Sequence, residues 1–246
     1  MKFIRNIFSK PKQEVSFPDP APEQEFYAIG DVHGRDDLLK LALRKVPRGS
    51  TIICVGDIID RGENSAQALR RLHATSQRPT RTLICLMGNH ERMMLNFLDG
   101  ADAEAERWLR NGGLQTLESF GVTSVVDLSS KESLDEARAT LKQAMGRELE
   151  AWLRGLPFQW QSGNVAVVHA GADPELPMDE QPEKALVWGH ADFFKVPRKD
   201  GVWVVHGHTV VDEPYIKRGR AAIDTGAYVT ERLTVAHVTP EGITFI

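Results

Sequence analysis

The sequence predicts an α/β fold, on three observations. Apolar, β-branched runs at 26–29, 52–55 and 82–87 each read as a buried strand. Segments with apolar residues at helical spacing lie between them. Each run also stops abruptly in glycine and a polar residue: Gly30-Asp31, Gly56-Asp57 and Gly88-Asn89. Open α/β sheets place ligands beyond the carboxyl ends of their strands, so these turns mark one edge.

The chain has 246 residues, 41% hydrophobic and 26% charged, ample for one sizeable core. A formal net charge of −4 gives no electrostatic case for nucleic acid as a partner. Both cysteines, Cys54 and Cys85, sit inside apolar strand patterns. They read as buried hydrophobes rather than a disulfide or metal pair, which fits a reducing cytoplasm. No apolar run approaches the ~18 residues of a membrane-spanning helix.

Residues 1–25 read as an appendage. Phe3, Ile4, Ile7 and Phe8 have helical spacing among Lys2, Arg5, Lys10 and Lys12, a basic amphipathic turn able to touch an anionic surface. Pro11, Pro18, Pro20 and Pro22 then mark an extended linker to one domain over 26–246. After the first strand, Leu38, Leu39, Leu41, Ala42 and Leu43 predict a helix over 36–46, ended by Pro47 and Gly49. Asn64 and Gln67 form a capping-box pattern for a helix through Leu72. Strands joined by helices imply parallel pairing with right-handed crossovers. A helical cap region, about 91–155, should lie beside the polar edge. Within it Asn111-Gly112-Gly113 reads as a helix stop, and Ser133 with Glu136 as a second capping box.

The last third returns to strands, at 165–168, 202–205, 221–223, 233–238 and 243–246. Again polar groups follow: His169, then His206-Gly207-His208, then Asp224. Asp31, His33, Asp57, Asn89, His169 and His208 thus end strands or begin the turns after them. Carboxylate, imidazole and amide oxygen without thiolate suit Mn²⁺, Fe or Zn²⁺ in a hydrolytic site. Six such ligands exceed what one open catalytic metal takes. They suit two divalent ions sharing one carboxylate, for which Asp57, the middle member, is the candidate.

The motifs GDVHG (30–34), GDIIDRG (56–62), GNHE (88–91), HAG (169–171) and GHT (207–209) together resemble the phosphoprotein phosphatase (PPP) family of calcineurin-like metallophosphoesterases. Trp108 to Gly113 and Asp224-Thr225-Gly226-Ala227 resemble its bacterial and phage branch, typified by lambda protein phosphatase. The resemblance implies two packed mixed β-sheets flanked by helices, with metals at one edge. It implies one metal, most often Mn²⁺, on Asp31, His33 and Asp57, and a second on Asp57, Asn89, His169 and His208. It also implies that Arg61 binds phosphate and that His90 with Asp60 supplies a proton. His206 would lie behind the ligands. The implied activity is hydrolysis of phosphoserine and phosphothreonine in proteins by metal-activated water.

One departure stands out. The family carries a second phosphate-binding Arg in a W-x-R segment, where this chain has Trp188-Gly189-His190. Either His190 takes the phosphate, or it is part of a turn and Arg198 or Arg218 supplies the charge. Two other activities stay open on the sequence: hydrolysis of dinucleoside polyphosphates or another small phosphoester, and a metal-binding interaction module without turnover. Asp60-Arg61-Gly62 and Glu91 favour the phosphoprotein reading over the dinucleotide one. Oligomeric state is not legible.

Overall fold

The computed structural model describes residues 17–122 and 130–246. The basic turn read over residues 1–12 lies outside them. From the amino-terminal side the elements are β1 (Phe26–Ile29), α1 (Asp36–Lys45), β2 (Thr51–Cys54), α2 (Ser65–Ser76) and β3 (Thr82–Cys85). The helical region holds α3 (Asn89–Leu98), α4 (Asp102–Trp108), α5 (Leu114–Ser119), α6 (Lys131–Met145) and α7 (Arg147–Arg154). Then come β4 (Gln159–Ser162), β5 (Val165–Val168), α8 (Glu183–Trp188), β6 (Trp203–His206), β7 (Tyr215–Lys217), β8 (Arg220–Ala222), α9 (Ala227–Thr230), β9 (Val235–Thr239) and β10 (Gly242–Phe245).

Two five-stranded mixed sheets result, ordered β10-β9-β1-β2-β3 and β4-β5-β6-β8-β7. As expected, β1, β2 and β3 are parallel, with Cys54 opposite Cys85 in register. Both cysteines are buried and free. Side chains alternate across the first sheet, as the pleat requires. Phe26, Ala28, Ile53 and Val55 face the second sheet and pack on Val165, Val167, Val205 and Ile223. Tyr27, Ile29, Ile52 and Cys54 face the helices and pack with Leu39, Leu69 and Leu72. The second sheet's other face, with Val168 and Val204, is covered by Leu186 and Phe193.

Three local readings need correction. Asn64 is the N-cap of α2, but its side chain makes no cap bond; Ser119 Oγ accepts from Ala66 N instead, at 3.0 Å. Helix α6 begins before Ser133, and Ser130 is its cap, accepting from Ser133 N at 3.2 Å. As expected, the helix breaks at Asn111-Gly112: both have non-helical backbone, Gly112 at φ +108°, and a separate helix, α5, starts at Leu114. A Cβ on Gly112 would collide with the Arg61 backbone, so contact with a distant loop dictates this glycine. Finally, edge strands β4 and β7 escaped the sequence reading, since Gln159-Trp160-Gln161-Ser162 and Tyr215-Ile216-Lys217 lack an apolar run.

The segment 17–25 has no helix or strand but is anchored. Pro18 O accepts from Trp203 Nε1 at 2.7 Å, the Phe17 ring meets the Trp203 ring edge-on, and Asn164 Nδ2 donates to Asp19 O at 3.0 Å. No helix among the described residues is long and apolar enough to cross a membrane.

Candidate metal centre

The parallel strands β1, β2, β3, β5 and β6 all deliver polar side chains just past their carboxyl ends, as α/β geometry requires. The turns that present them are conformationally forced. His33, Asp57, Asp60, Arg61 and His208 all have positive φ, +43° to +72°, unusual for residues with a Cβ. Such conformations cost about 1–3 kcal/mol each and cluster where function demands them.

Asp57 is the hub. Its Oδ1 accepts from His90 N at 3.1 Å and lies 3.3 Å from His169 Nε2. Its Oδ2 lies 3.5 Å from His33 Nε2 and 3.8 Å from His90 Nε2. Asn89 Oδ1 lies 2.9 Å from His169 Nε2 and 2.8 Å from His208 Nδ1. Asp31 reaches in from β1, where its Oδ2 accepts from His208 N at 3.0 Å. Two sets of potential ligand atoms within 4.8 Å of one another share Asp57: His33–Asp57–His90 and Asp57–His169–His208.

The donor chemistry fits cations on three counts. His33 Nδ1 donates to Ile59 O at 2.8 Å, and His169 Nδ1 donates to Val55 O at 3.1 Å. Each Nε2 therefore turns a lone pair toward an Asp57 oxygen, two acceptors that a cation between them would reconcile. Burial lowers His33 to about 3 and His169 to about 4, so both rings are neutral, the ligating form. Asp31 Oδ1 is buried without a partner. Burial, together with the Asp224 and Asp57 carboxylates, pushes Asp31 well above the usual carboxylate range. Asp224 itself is raised to about 6, chiefly by burial. A cluster of acids with an orphaned oxygen is short of positive charge.

Beside this cluster sits a hydrogen-bonded pair. His90 Nδ1 donates to Asp60 Oδ2 at 2.6 Å. Asp60 is fully buried, and Trp108 Nε1 and Thr116 Oγ1 donate to it at 3.0 and 2.6 Å. Burial works to lower His90, but the Asp57 and Asp60 carboxylates outweigh it and raise its pKa. Arg61 Nη2 lies 3.4 Å from His90 Nε2, and its guanidinium stacks over Tyr228.

Glu91 holds the β2 turn. It is fully buried and accepts from the backbone N–H of Asp57, Ile58, Ile59 and Gly88 at 2.8 to 3.3 Å. Glu91→Ala should therefore cost about 3 kcal/mol or more, since unpaired buried N–H groups cost about 1–3 kcal/mol each. A thermal melt within a degree of wild type would refute that role.

Asp31, His33, Asp57, Asn89, His169, His208, Asp60, His90 and Arg61 are thus gathered at one edge. His206 is buried behind them, its Nδ1 3.0 Å from Gly207 O. His190 has different neighbours: its Nε2 lies 3.7 Å from Asp173 Oδ2, and its Nδ1 accepts from Asp192 N. The two arginines considered in its place do not serve. Arg198 is buried and spent on Asp173 O, Leu176 O and Asp200. Arg218 precedes β8, which runs parallel to β6, and so lies at the opposite edge of that sheet. The sequence reading assigned no role to Trp108, Thr116, Tyr228 or the Asp224 carboxylate. The fragments at 108–113 and 224–227 marked the neighbourhoods of Trp108, Asp224 and Tyr228, but not their contacts, and nothing marked Thr116.

A family model for calcineurin-like phosphoesterase matches residues 25–224. The symmetrical bis(5'-nucleosyl)-tetraphosphatase of Glaesserella parasuis serovar 5 (strain SH0165) is 29% identical over 154 residues, 61% of this chain and 45% of that protein. The chain thus spans under half the length of that relative. Serine/threonine-protein phosphatase 2 of Salmonella typhimurium (strain LT2) is 24% identical over 222 residues, 86% of this chain and 91% of that protein. Among solved structures, a candidate diadenosine tetraphosphatase shares the fold with TM-score 0.64 at 20% identity, over 92% of this chain and 95% of that one.

Proposed function

The chain belongs to the calcineurin-like phosphoesterase family, and on that premise we propose that it is a metal-dependent phosphomonoesterase of the serine/threonine phosphoprotein type. The observation that carries the reading is the Asp60–His90 pair beside Arg61. A seryl or threonyl alkoxide is a poor leaving group and needs a proton, and this pair offers one. The match to serine/threonine-protein phosphatase 2, along nearly the whole of both chains, supports it.

Asp31, His33 and Asp57 would hold one divalent cation, and Asp57, Asn89, His169 and His208 the other, with Mn²⁺ the proposed metal. When bound, the pair supplies Lewis acidity toward phosphoryl oxygens and brings the pKa of a water toward neutrality. The chain's own residues do the rest. Asp57 keeps its negative charge between the two ligand sets. Arg61 gives the phosphoryl group a planar, permanently charged donor pair. Asp60, fixed by Trp108 and Thr116, holds the His90 ring so that Nε2 faces the site and Nδ1 does not. His90 then passes its Nε2 proton to the departing oxygen.

A second reading rests on the tetraphosphatase matches: hydrolysis of dinucleoside polyphosphates at the same edge. Incubation with Mn²⁺ and a phosphoserine peptide, an aryl phosphate or diadenosine tetraphosphate separates the two. The proposal expects phosphopeptide and aryl phosphate turnover. Turnover of the dinucleotide alone would replace the first reading with the second, and turnover of none would leave a metal-binding module.

His190 supplies a further check. If it binds the substrate phosphate, His190→Ala raises KM for simple phosphoesters and His190→Arg lowers it, with kcat little changed. Identical KM values in all three proteins would remove His190 from the site and leave Arg61 as the phosphate donor.

A further inference from the structure

At the other end of the first sheet, where β2 and β3 begin, lies a cleft of about 840 Å³. Six of its lining residues are basic: Lys40, Arg44, Arg48, Arg71, Arg78 and Arg81. None is acidic, although the whole chain carries a net charge of −4. Half of this charge is structural. Lys40 and Arg71 pair with Asp36. Arg81 donates to Leu43 O at 2.8 Å and Val46 O at 3.0 Å, and so caps the carboxyl end of α1. That capping already answers the negative pole of the helix.

Arg44, Arg48 and Arg78 remain. All three side chains are exposed, and none has a hydrogen-bond or ion-pair partner among the described residues. Like charges drawn to one concave wall repel unless an anion joins them. We propose that this cleft binds an oligophosphate, a short chain of linked phosphates either free or carried on a nucleoside. Guanidinium forks match phosphate oxygens two at a time. A volume in the usual range of small-molecule pockets, about 300–1,000 Å³, suits a compact anion better than an extended acidic peptide. The site is separate from the metal edge: β2 and β3 start beside it at Thr51 and Thr82 and run to the turns of Asp57 and Asn89.

Calorimetric titration of the full chain with sodium tripolyphosphate, and separately with ATP, tests this at about 0.15 M salt, where distant charges are screened. Binding should persist in Arg61→Ala, which removes the phosphate donor of the metal edge. It should weaken at least on the order of tenfold in the combined Arg44→Ala, Arg48→Ala, Arg78→Ala variant, from the loss of charge-assisted bonds. Those side chains are exposed, so the variant's melting temperature and its Mn²⁺-dependent turnover should stay at wild-type values. Equal affinity for the two probes would identify the phosphates alone as the ligand, and tighter ATP binding would add the nucleoside. The proposal fails if the triple variant binds like wild type, or if Arg61→Ala alone abolishes the heat. It also fails if an oligoglutamate peptide of matched charge binds as tightly as tripolyphosphate.

Discussion

Asp57→Asn strips the protein of bound divalent cation and of turnover together. The carboxylate belongs to both ligand sets, within 3.8 Å of His33, His90 and His169. Asparagine keeps the shape and one oxygen but removes the charge, and it places an amide N–H₂ where a lone pair would face a cation. Both sites weaken at once, whereas replacing His33 or His208 should weaken one. Metal analysis of the purified variant after dialysis reads the first half, and phosphoester hydrolysis at saturating Mn²⁺ reads the second. Two tightly held metals with near-normal rates would end the shared-carboxylate account.

His90→Asn separates substrates by leaving group. A phenolate with a pKa near 7 departs unprotonated, while a seryl alkoxide needs a proton. Loss of a general acid typically costs on the order of 10²–10³ in rate, and here that loss should fall on phosphoserine peptides far more than on aryl phosphates. Asp60→Asn should follow the same pattern more mildly, because it releases the ring without removing it. Equal losses on both substrates would instead make His90 a group that positions phosphate or metal.

Much of the architecture was readable because the central strands are buried on both faces. Burial of that kind leaves an uninterrupted apolar run, and β1, β2, β5 and β6 all show it. The edge strands β4 and β7 lack it because they are partly exposed. Asp31, His33, Asp57, Asn89, His169 and His208 were legible from their placement after those runs, and the structure gathers them. What supports them was not. Trp108 and Thr116 reach Asp60 from 48 and 56 residues away, and no local pattern encodes such a contact. Gly112 shows the same limit from the other side. After an asparagine it reads as a helix terminus, which it is, but the Arg61 backbone lying against it, a second reason for glycine there, has no local signal. His190 was legible as a substitution, but its neighbour Asp173 was not.

The most direct measurement is a crystal of the full chain grown with Mn²⁺, examined by anomalous scattering. The account predicts two peaks, roughly 3.5–4 Å apart, flanking the Asp57 carboxylate. One should lie against Asp31 and His33, the other against Asn89, His169 and His208. A single peak, or two that do not share Asp57, would contradict it.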